Sequence, residues 1–208
     1  MKRVFNLIIV DESGSMSVIQ QQALSGLNET LQTVQILARQ HPDLEQNVSL
    51  LFFDSNHRNY KYFNTPAAEA VPLKPQDYSP SGCTPLYDAI GESVGKVNAL
   101  MGKDDQALVT IITDGYENDS HEFTLPMVKN LIEKLKGQGW TFTLIGTDNL
   151  DVESMARSMA IDEHMEFTED AEGTQKMFAR ERSARMRYSD CLTKGIACES
   201  GSFFKEDD

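Results

Sequence analysis

The chain has 208 residues, and its 19 Lys and Arg against 32 Asp and Glu leave a formal net charge of -13. Nucleic-acid affinity comes from Lys and Arg placed at phosphates, so an acidic chain without a long basic stretch argues against a DNA or RNA partner, and against an anionic membrane surface for the same reason. With 40% apolar and 25% charged residues, the composition is that of an ordinary globular domain with its own core.

The first apolar run, Val4 to Val10, reads as a buried strand. Lys2 and Arg3 precede it, but Asn6 interrupts the run and Asp11 ends it, which is too short for the apolar region of a signal peptide. Leu24, Leu27, Leu31, Val34 and Ala38 then recur at three and four residues, marking one face of a helix that stops before His41-Pro42. Val48 to Phe53 is a second strand. Tyr60 to Phe63 is shorter and more polar, as a sheet edge would be. Pro66, Pro72, Pro75 and Pro80 fill the next stretch, which has no period and predicts a long loop.

Pro85 suits the first turn of a helix whose apolar face is Leu86, Ile90, Val94, Val97 and Met101. Ala107 to Ile112 is a third buried strand. Val128, Leu131, Ile132 and Leu135 mark a helix closed by Gly137, and Trp140 to Ile145 a strand ended by Gly146. A short helix around Val152, Met155 and Met159, a weak strand at His164 to Phe167 and a helix from about Glu172 to Tyr188 follow. Strands alternating with helices imply an α/β fold, a mostly parallel sheet covered on both faces. The expected organisation is one domain over residues 1–190, then a loosely attached tail over 191–208 containing Gly195, Ser200, Gly201, Ser202 and the acidic Glu206-Asp207-Asp208. No stretch approaches the length of a membrane span. Cys83, Cys191 and Cys198 lack C-x-x-C spacing, so reduced thiols in a cytoplasmic protein are expected.

In an open parallel sheet the ligand crevice lies outside the carboxyl ends of the strands, so the residues just after each strand carry the chemistry. The first strand runs into Asp11-Glu12-Ser13-Gly14-Ser15-Met16-Ser17, a carboxylate followed by alternate hydroxyls. The strand ending at Ile112 runs into Thr113-Asp114-Gly115. The proline-rich loop ends in Ser81-Gly82-Cys83-Thr84-Pro85, immediately before a helix. Asp11, Ser13, Ser15, Thr84 and Asp114 offer oxygen donors without histidine or thiolate, and such a set selects a hard cation. Each fragment also has a plainer reading, since Ser caps helices and Asp closes strand ends.

Taken in order, these fragments resemble the metal-ion-dependent adhesion site of the von Willebrand factor type A domain. That family's D-x-S-x-S motif matches Asp11-Glu12-Ser13-Gly14-Ser15, followed by the Met16 common in bacterial members; its threonine motif matches Gly82-Cys83-Thr84-Pro85-Leu86, and its T-D-G motif Thr113-Asp114-Gly115. The resemblance covers about Lys2 to Tyr188. It implies a Rossmann-like sandwich of six strands, mostly parallel, with one short antiparallel edge at Tyr60 to Phe63. It also implies that Ser13, Ser15 and Thr84 touch Mg²⁺ or Mn²⁺, that Asp11 and Asp114 act largely through water, and that an Asp or Glu of a partner protein completes the octahedron. Such a domain is a binding module and not an enzyme; some members couple metal ligation to movement of the last helix.

The competing function is metal-dependent phosphoryl transfer with Asp11 as nucleophile. Against it, Ser13 stands where haloacid dehalogenase-like phosphatases carry a second Asp, and neither G-x-x-x-x-G-K-[ST] nor G-x-G-x-x-G occurs. Glu117, Asp119 and Ser120 read as a solvated acidic loop, Asp54 as a turn residue, and His57, His121 and His164 as surface residues. Arg180, Arg182, Arg185 and Arg187 read as a solvated helix face paired with nearby Glu, Met155, Met159 and Met165 as core filler, and Cys83 as a small buried side chain.

Overall fold

The structure is a computed structural model that describes residues 2–196 and 201–205. Among the described residues, six strands and five α-helices follow in the order β1 (Lys2–Asp11), α1 (Gln20–Gln40), β2 (Leu44–Phe53), β3 (Arg58–Pro66), α2 (Leu86–Asn98), β4 (Gln106–Thr113), α3 (Leu125–Lys136), β5 (Trp140–Thr147), α4 (Val152–Ser158), β6 (Glu163–Phe167) and α5 (Ala171–Lys194). They form one sheet in the order β3-β2-β1-β4-β5-β6, in which only β3 runs antiparallel. The covered, mostly parallel sheet expected from the alternation, and the Rossmann-like sandwich implied by the resemblance, are therefore the fold.

β1 is buried on both faces because its alternate side chains enter two different cores. Ile8 and Val10 meet Leu27, Leu31 and Val34 of α1 and Met177 and Phe178 of α5. Phe5, Leu7 and Ile9 meet Leu86, Ile90 and Val94 of α2 and Val128 and Ile132 of α3. Fully burying one such side chain is worth about 1.5–3 kcal/mol, which is why the central strand needs a helix layer on each side. Where α1 and α5 cross, a Cβ on Gly26 would stand 1.9 Å from Phe178 Cδ2, so only glycine admits this approach.

The edge strand β3 is longer than Tyr60 to Phe63, pairing with β2 from Phe53 against Arg58 to Asn47 against Pro66. Its outer residues are polar and give no apolar pattern. Register shifts interrupt the ladder between Val48 and Leu51. Pro66 has no N–H to donate and is tolerated because the end of an edge strand does not require one. The proline-rich loop that follows is strapped along α1: Ala70, Leu73 and Tyr78 are buried. Gln35 Nε2 donates to Ala70 O at 2.7 Å, Asn28 exchanges hydrogen bonds with Leu73, and Gln20 Nε2 donates to Tyr78 O at 2.8 Å.

Of the C-terminal region, residues 191–196 and 201–205 are described. Helix α5 continues past Tyr188 to Lys194, where Gly195 closes it at φ 66. Phe203 and Phe204 are buried, and Phe203 lies 5.9 Å from the Tyr188 ring. The Glu163 carboxylate accepts the N–H groups of Gly201, Ser202 and Phe203, while Arg180 and Arg187 donate to carbonyls of Phe203, Phe204 and Lys205. A hydrophobic pair plus satisfied backbone groups explains the docking. Ser200, Cys198 and residues 206–208 lie outside the described residues.

The arginine cluster also differs from a solvated face. Arg185 and Glu181 side chains are each 1% exposed, and Arg185 lies under the sheet centre. Its Nε donates to Glu181 Oε1 at 2.8 Å, its NH1 to Asn6 Oδ1 at 2.7 Å and its NH2 to Thr110 Oγ1 at 2.9 Å. Removing one member of a buried ion pair leaves the other charge uncompensated, at about 3–5 kcal/mol, whereas replacing both with apolar groups is close to neutral. Glu181→Leu should therefore lose about that much in urea unfolding, and Glu181→Leu with Arg185→Met should recover most of it.

Candidate functional site

The strand order places β1 between β2 and β4, whose connections leave on opposite sides, and the crevice at such a switch point is open above the strand ends. Asp11 is the last residue of β1 and Thr113 the last of β4. Thr113 Oγ1 donates to Asp11 Oδ2 at 2.6 Å, and the turn after β1 brings Ser13 N to Asp11 Oδ1 at 2.7 Å. Ser13 Oγ lies 3.2 Å from Ser15 Oγ, and Ser15 Oγ donates to Asp114 Oδ1 at 2.8 Å. Gly115 faces the same point, since a Cβ there would lie 3.1 Å from Thr84 Oγ1 and 3.8 Å from Asp11 Oδ2. Asp11, Ser13, Ser15, Thr84 and Asp114 thus converge on one rim.

Backbone bonds hold the three contributing loops together. Ser81 N donates to Glu12 O at 2.7 Å and Gly14 N to Gly82 O at 3.1 Å, which ties the serine turn to the threonine loop. Gly82 sits at φ +72, a conformation that L side chains rarely adopt. Asn118 Oδ1 accepts Thr84 N at 2.8 Å and Asn118 N donates to Thr84 O at 3.2 Å, fixing Thr84 to the loop after β4. Tyr78 O–H donates to Asp11 O at 2.8 Å from beneath.

Burial dominates the electrostatics. Desolvation pushes the Asp114 carboxyl up to about 6; the Ser15 hydroxyl opposes this and the nearby Asp11 charge adds to it. Asp11 is also raised by burial, against the pull of the Thr113 and Ser13 hydrogen bonds. Asp114 Oδ2 is buried without a hydrogen-bond partner. No group of three or more His, Cys, Asp or Glu side chains that could hold a metal occurs among the described residues, so any cation here would rely on hydroxyls beside two carboxylates. An unpartnered carboxylate oxygen in a donor set of hydroxyls and carboxylates fits a hard, oxygen-seeking cation.

Several residues around the rim have roles that sequence alone did not show. Asp54, at the end of β2, accepts N–H groups from Asn56 and His57 and the Ser81 hydroxyl, so it braces the threonine loop as well as making a turn. His57, 47% exposed, reaches 2.7 Å to Asp54 Oδ1 and 3.4 Å to Glu12 Oε2. Glu117 is not a solvated loop charge: its oxygens accept the N–H groups of Tyr87, Asp119 and Ser120 and the Ser120 hydroxyl. Cys83 is exposed, not buried, because Thr84 turns inward beside it. No local signal marks Asn118 or Asp88, whose partners, backbone groups and for Asp88 also the Arg58 side chain, are distant in sequence.

The sequence profile of the von Willebrand factor type A domain matches residues 7–180, and the chain belongs to that family. No protein of curated function matches the sequence. Among solved structures, proximal thread matrix protein 1 from the mussel byssus is 13% identical with a TM-score of 0.58, over 86% of this chain and 44% of that one. The vWF domain of the type V pili tip protein Mfa5 from Porphyromonas gingivalis is 11% identical with a TM-score of 0.62, over 95% of this chain and 97% of that one. The VWA domain of SpRpn10 is 9% identical with a TM-score of 0.61, over 85% and 93%. These likenesses establish the fold, and the chain spans less than half the length of the mussel protein. Domains of this family are commonly protein-interaction modules. No helix among the described residues is long and apolar enough to cross a membrane.

An ionised carboxylate buried without a partner costs stability. In chelator-treated protein at neutral pH, Asp114→Asn should raise stability by about 1–3 kcal/mol, read by thermal and urea unfolding. Asp88 behaves oppositely. Burial pushes its carboxyl up, but the N–H groups of His121, Phe123 and Glu122 and the Arg58 charge outweigh that and hold it below the ordinary 3.8. A carboxyl depressed in the folded state contributes stability that is complete above its unfolded value and is lost as pH falls through the folded one. Asp88→Asn should therefore cost about 1–3 kcal/mol at neutral pH, with the deficit shrinking below about pH 4.

Proposed function

We propose that this rim holds Mg²⁺ or Mn²⁺ and that the domain is a protein-binding module whose metal is completed by an Asp or Glu of a partner protein. Ser13, Ser15 and Thr84 would supply hydroxyls, and Asp11 and Asp114 the negative charge, directly or through bound water. When bound, the cation supplies an open coordination position that attracts a carboxylate. The observation that carries this reading is Asp114 Oδ2, a buried oxygen without a hydrogen-bond partner on the carboxylate whose other oxygen accepts from Ser15 Oγ.

The cation resolves a difficulty posed by the chain's charge of -13, which would oppose an acidic partner. A bound divalent ion reverses the local sign at the crevice, so one carboxylate can be received where the surrounding surface is negative. Phosphoryl transfer is the poorer reading. Both oxygens of Asp11 already accept hydrogen bonds, from Ser13 N and Thr113 Oγ1, and the side chain is buried beneath the serine turn. A carboxylate so engaged is suited to orienting ligands and poorly suited to attack.

Isothermal titration of Mg²⁺ and Mn²⁺ into wild type, Asp11→Ala and Ser15→Ala decides the matter. Both variants should lose at least about tenfold in affinity, the loss expected when a ligand or its orienting group is removed. Equal binding by all three proteins sinks the assignment. A partner complex purified from the native host should dissociate in EDTA and re-form on addition of Mg²⁺.

A further inference from the structure

A cavity of about 130 Å³ opens beside the rim, walled by Leu86, Tyr87, Tyr116, Glu117, Met155 and Met159. Its walls grow directly out of the site: Leu86 lies two residues after Thr84, and Tyr116 two after Asp114. The cavity is similar in size to the ~150 Å³ apolar cavities that accept a benzene ring. Tyr116 is 52% exposed, an unusual position for a large aromatic side chain in so charged a chain. Its hydroxyl accepts Asp151 N at 2.9 Å, which pins the ring to the start of α4 and keeps the wall formed. Leu86 and Met159 are fully buried at the base.

The charge in the wall is already spoken for. Glu117 Oε1 accepts Asp119 N and Ser120 N, and Oε2 accepts Tyr87 N and the Ser120 hydroxyl. It therefore has little left to offer a cationic guest, and the other lining residues are Leu86, Tyr87, Tyr116, Met155 and Met159, with the Ser158 hydroxyl among them. Thioethers adapt to guests of different shape.

We infer that this cavity is a specificity subsite that takes an aliphatic or aromatic side chain adjacent to the partner's metal-seeking carboxylate. The inference deepens the metal-bridged reading above and rests on it. The carboxylate anchors the segment at the rim, and the neighbouring side chain leaves water for the aromatic, thioether and aliphatic part of the wall. Recognition then needs an acidic residue beside a large apolar one, which separates the partner from the many carboxylates that a bare cation would accept.

The test follows the Met155 and Met159 methyl signals by NMR. N-acetyl-leucinamide should shift them without metal, and N-acetyl-glycinamide should not. In Mg²⁺, capped tetrapeptides carrying Asp beside Leu, in either order, should bind about tenfold more tightly than the same peptides with Ala in place of Leu. Ser158 lies at the lip, exposed at the end of α4. Ser158→Arg should abolish the preference for Leu while leaving Mg²⁺ affinity and the Ala-peptide affinity unchanged. No methyl shift with N-acetyl-leucinamide, or equal affinity for the Leu and Ala peptides, overturns the subsite. Methyl shifts that follow protein concentration alone also overturn it, because a second copy then fills the cavity. Leu-selective binding that persists in EDTA and in Asp11→Ala leaves the subsite standing and overturns the metal reading instead.

Discussion

Two buried carboxylates at the ends of adjacent parallel strands set the terms for the rest of this molecule. Asp11 closes β1 and Asp114 follows β4, and the sheet order makes those strands neighbours at the point where the connections diverge. Desolvation opposes both charges, so the surroundings are organised to hold them: hydroxyls of Thr113, Ser13 and Ser15 face inward, and the Tyr78 hydroxyl supports the Asp11 backbone from below. One oxygen of Asp114 is left over. A fold that buries a carboxylate oxygen without a partner holds an electrostatic deficit at that place, which the proposed cation would relieve.

The loops around the rim are held by backbone hydrogen bonds, and a second tier of carboxylates supplies many of the acceptors. Asp54 and Asp88 accept N–H groups from irregular chain and Glu117 accepts those of Tyr87, Asp119 and Ser120, which fixes the course of these loops. In a chain with a net charge of -13, these carboxylates serve as internal acceptors and not as solvated charges. On the opposite face the same logic is carried by Arg185, whose guanidinium links α5 to β1 and β4 through Asn6 and Thr110. The strands that end in Asp11 and Thr113 are thus clamped from the α5 side by a charged group and from the α2 side by aliphatic packing.

The residues of the rim were legible because they are local: a carboxylate and two hydroxyls within five positions, and short motifs placed directly after strands or before a helix. The cavity beside the rim was not legible, since Tyr116 and Met159 come from elements that meet only through the sheet. The arginines of α5 misled for a related reason. Their spacing matches a solvated helix face, and nothing local to the helix shows that Asn6 and Thr110 wait opposite one of them. Phe203 and Phe204 were likewise hidden within a polar, glycine-bearing segment whose backbone groups are satisfied by Glu163, about forty residues earlier.

Period and punctuation by themselves determined the alternation of strands and helices, the parallel sheet, and the places where the chain leaves each strand, because those follow from side-chain spacing and from the backbone demands of Pro and Gly. Only the tertiary structure decided which charges became solvent-facing and which became internal. Burial is a property of what packs above a residue, and a carboxylate or guanidinium changes its chemistry once water is removed from around it.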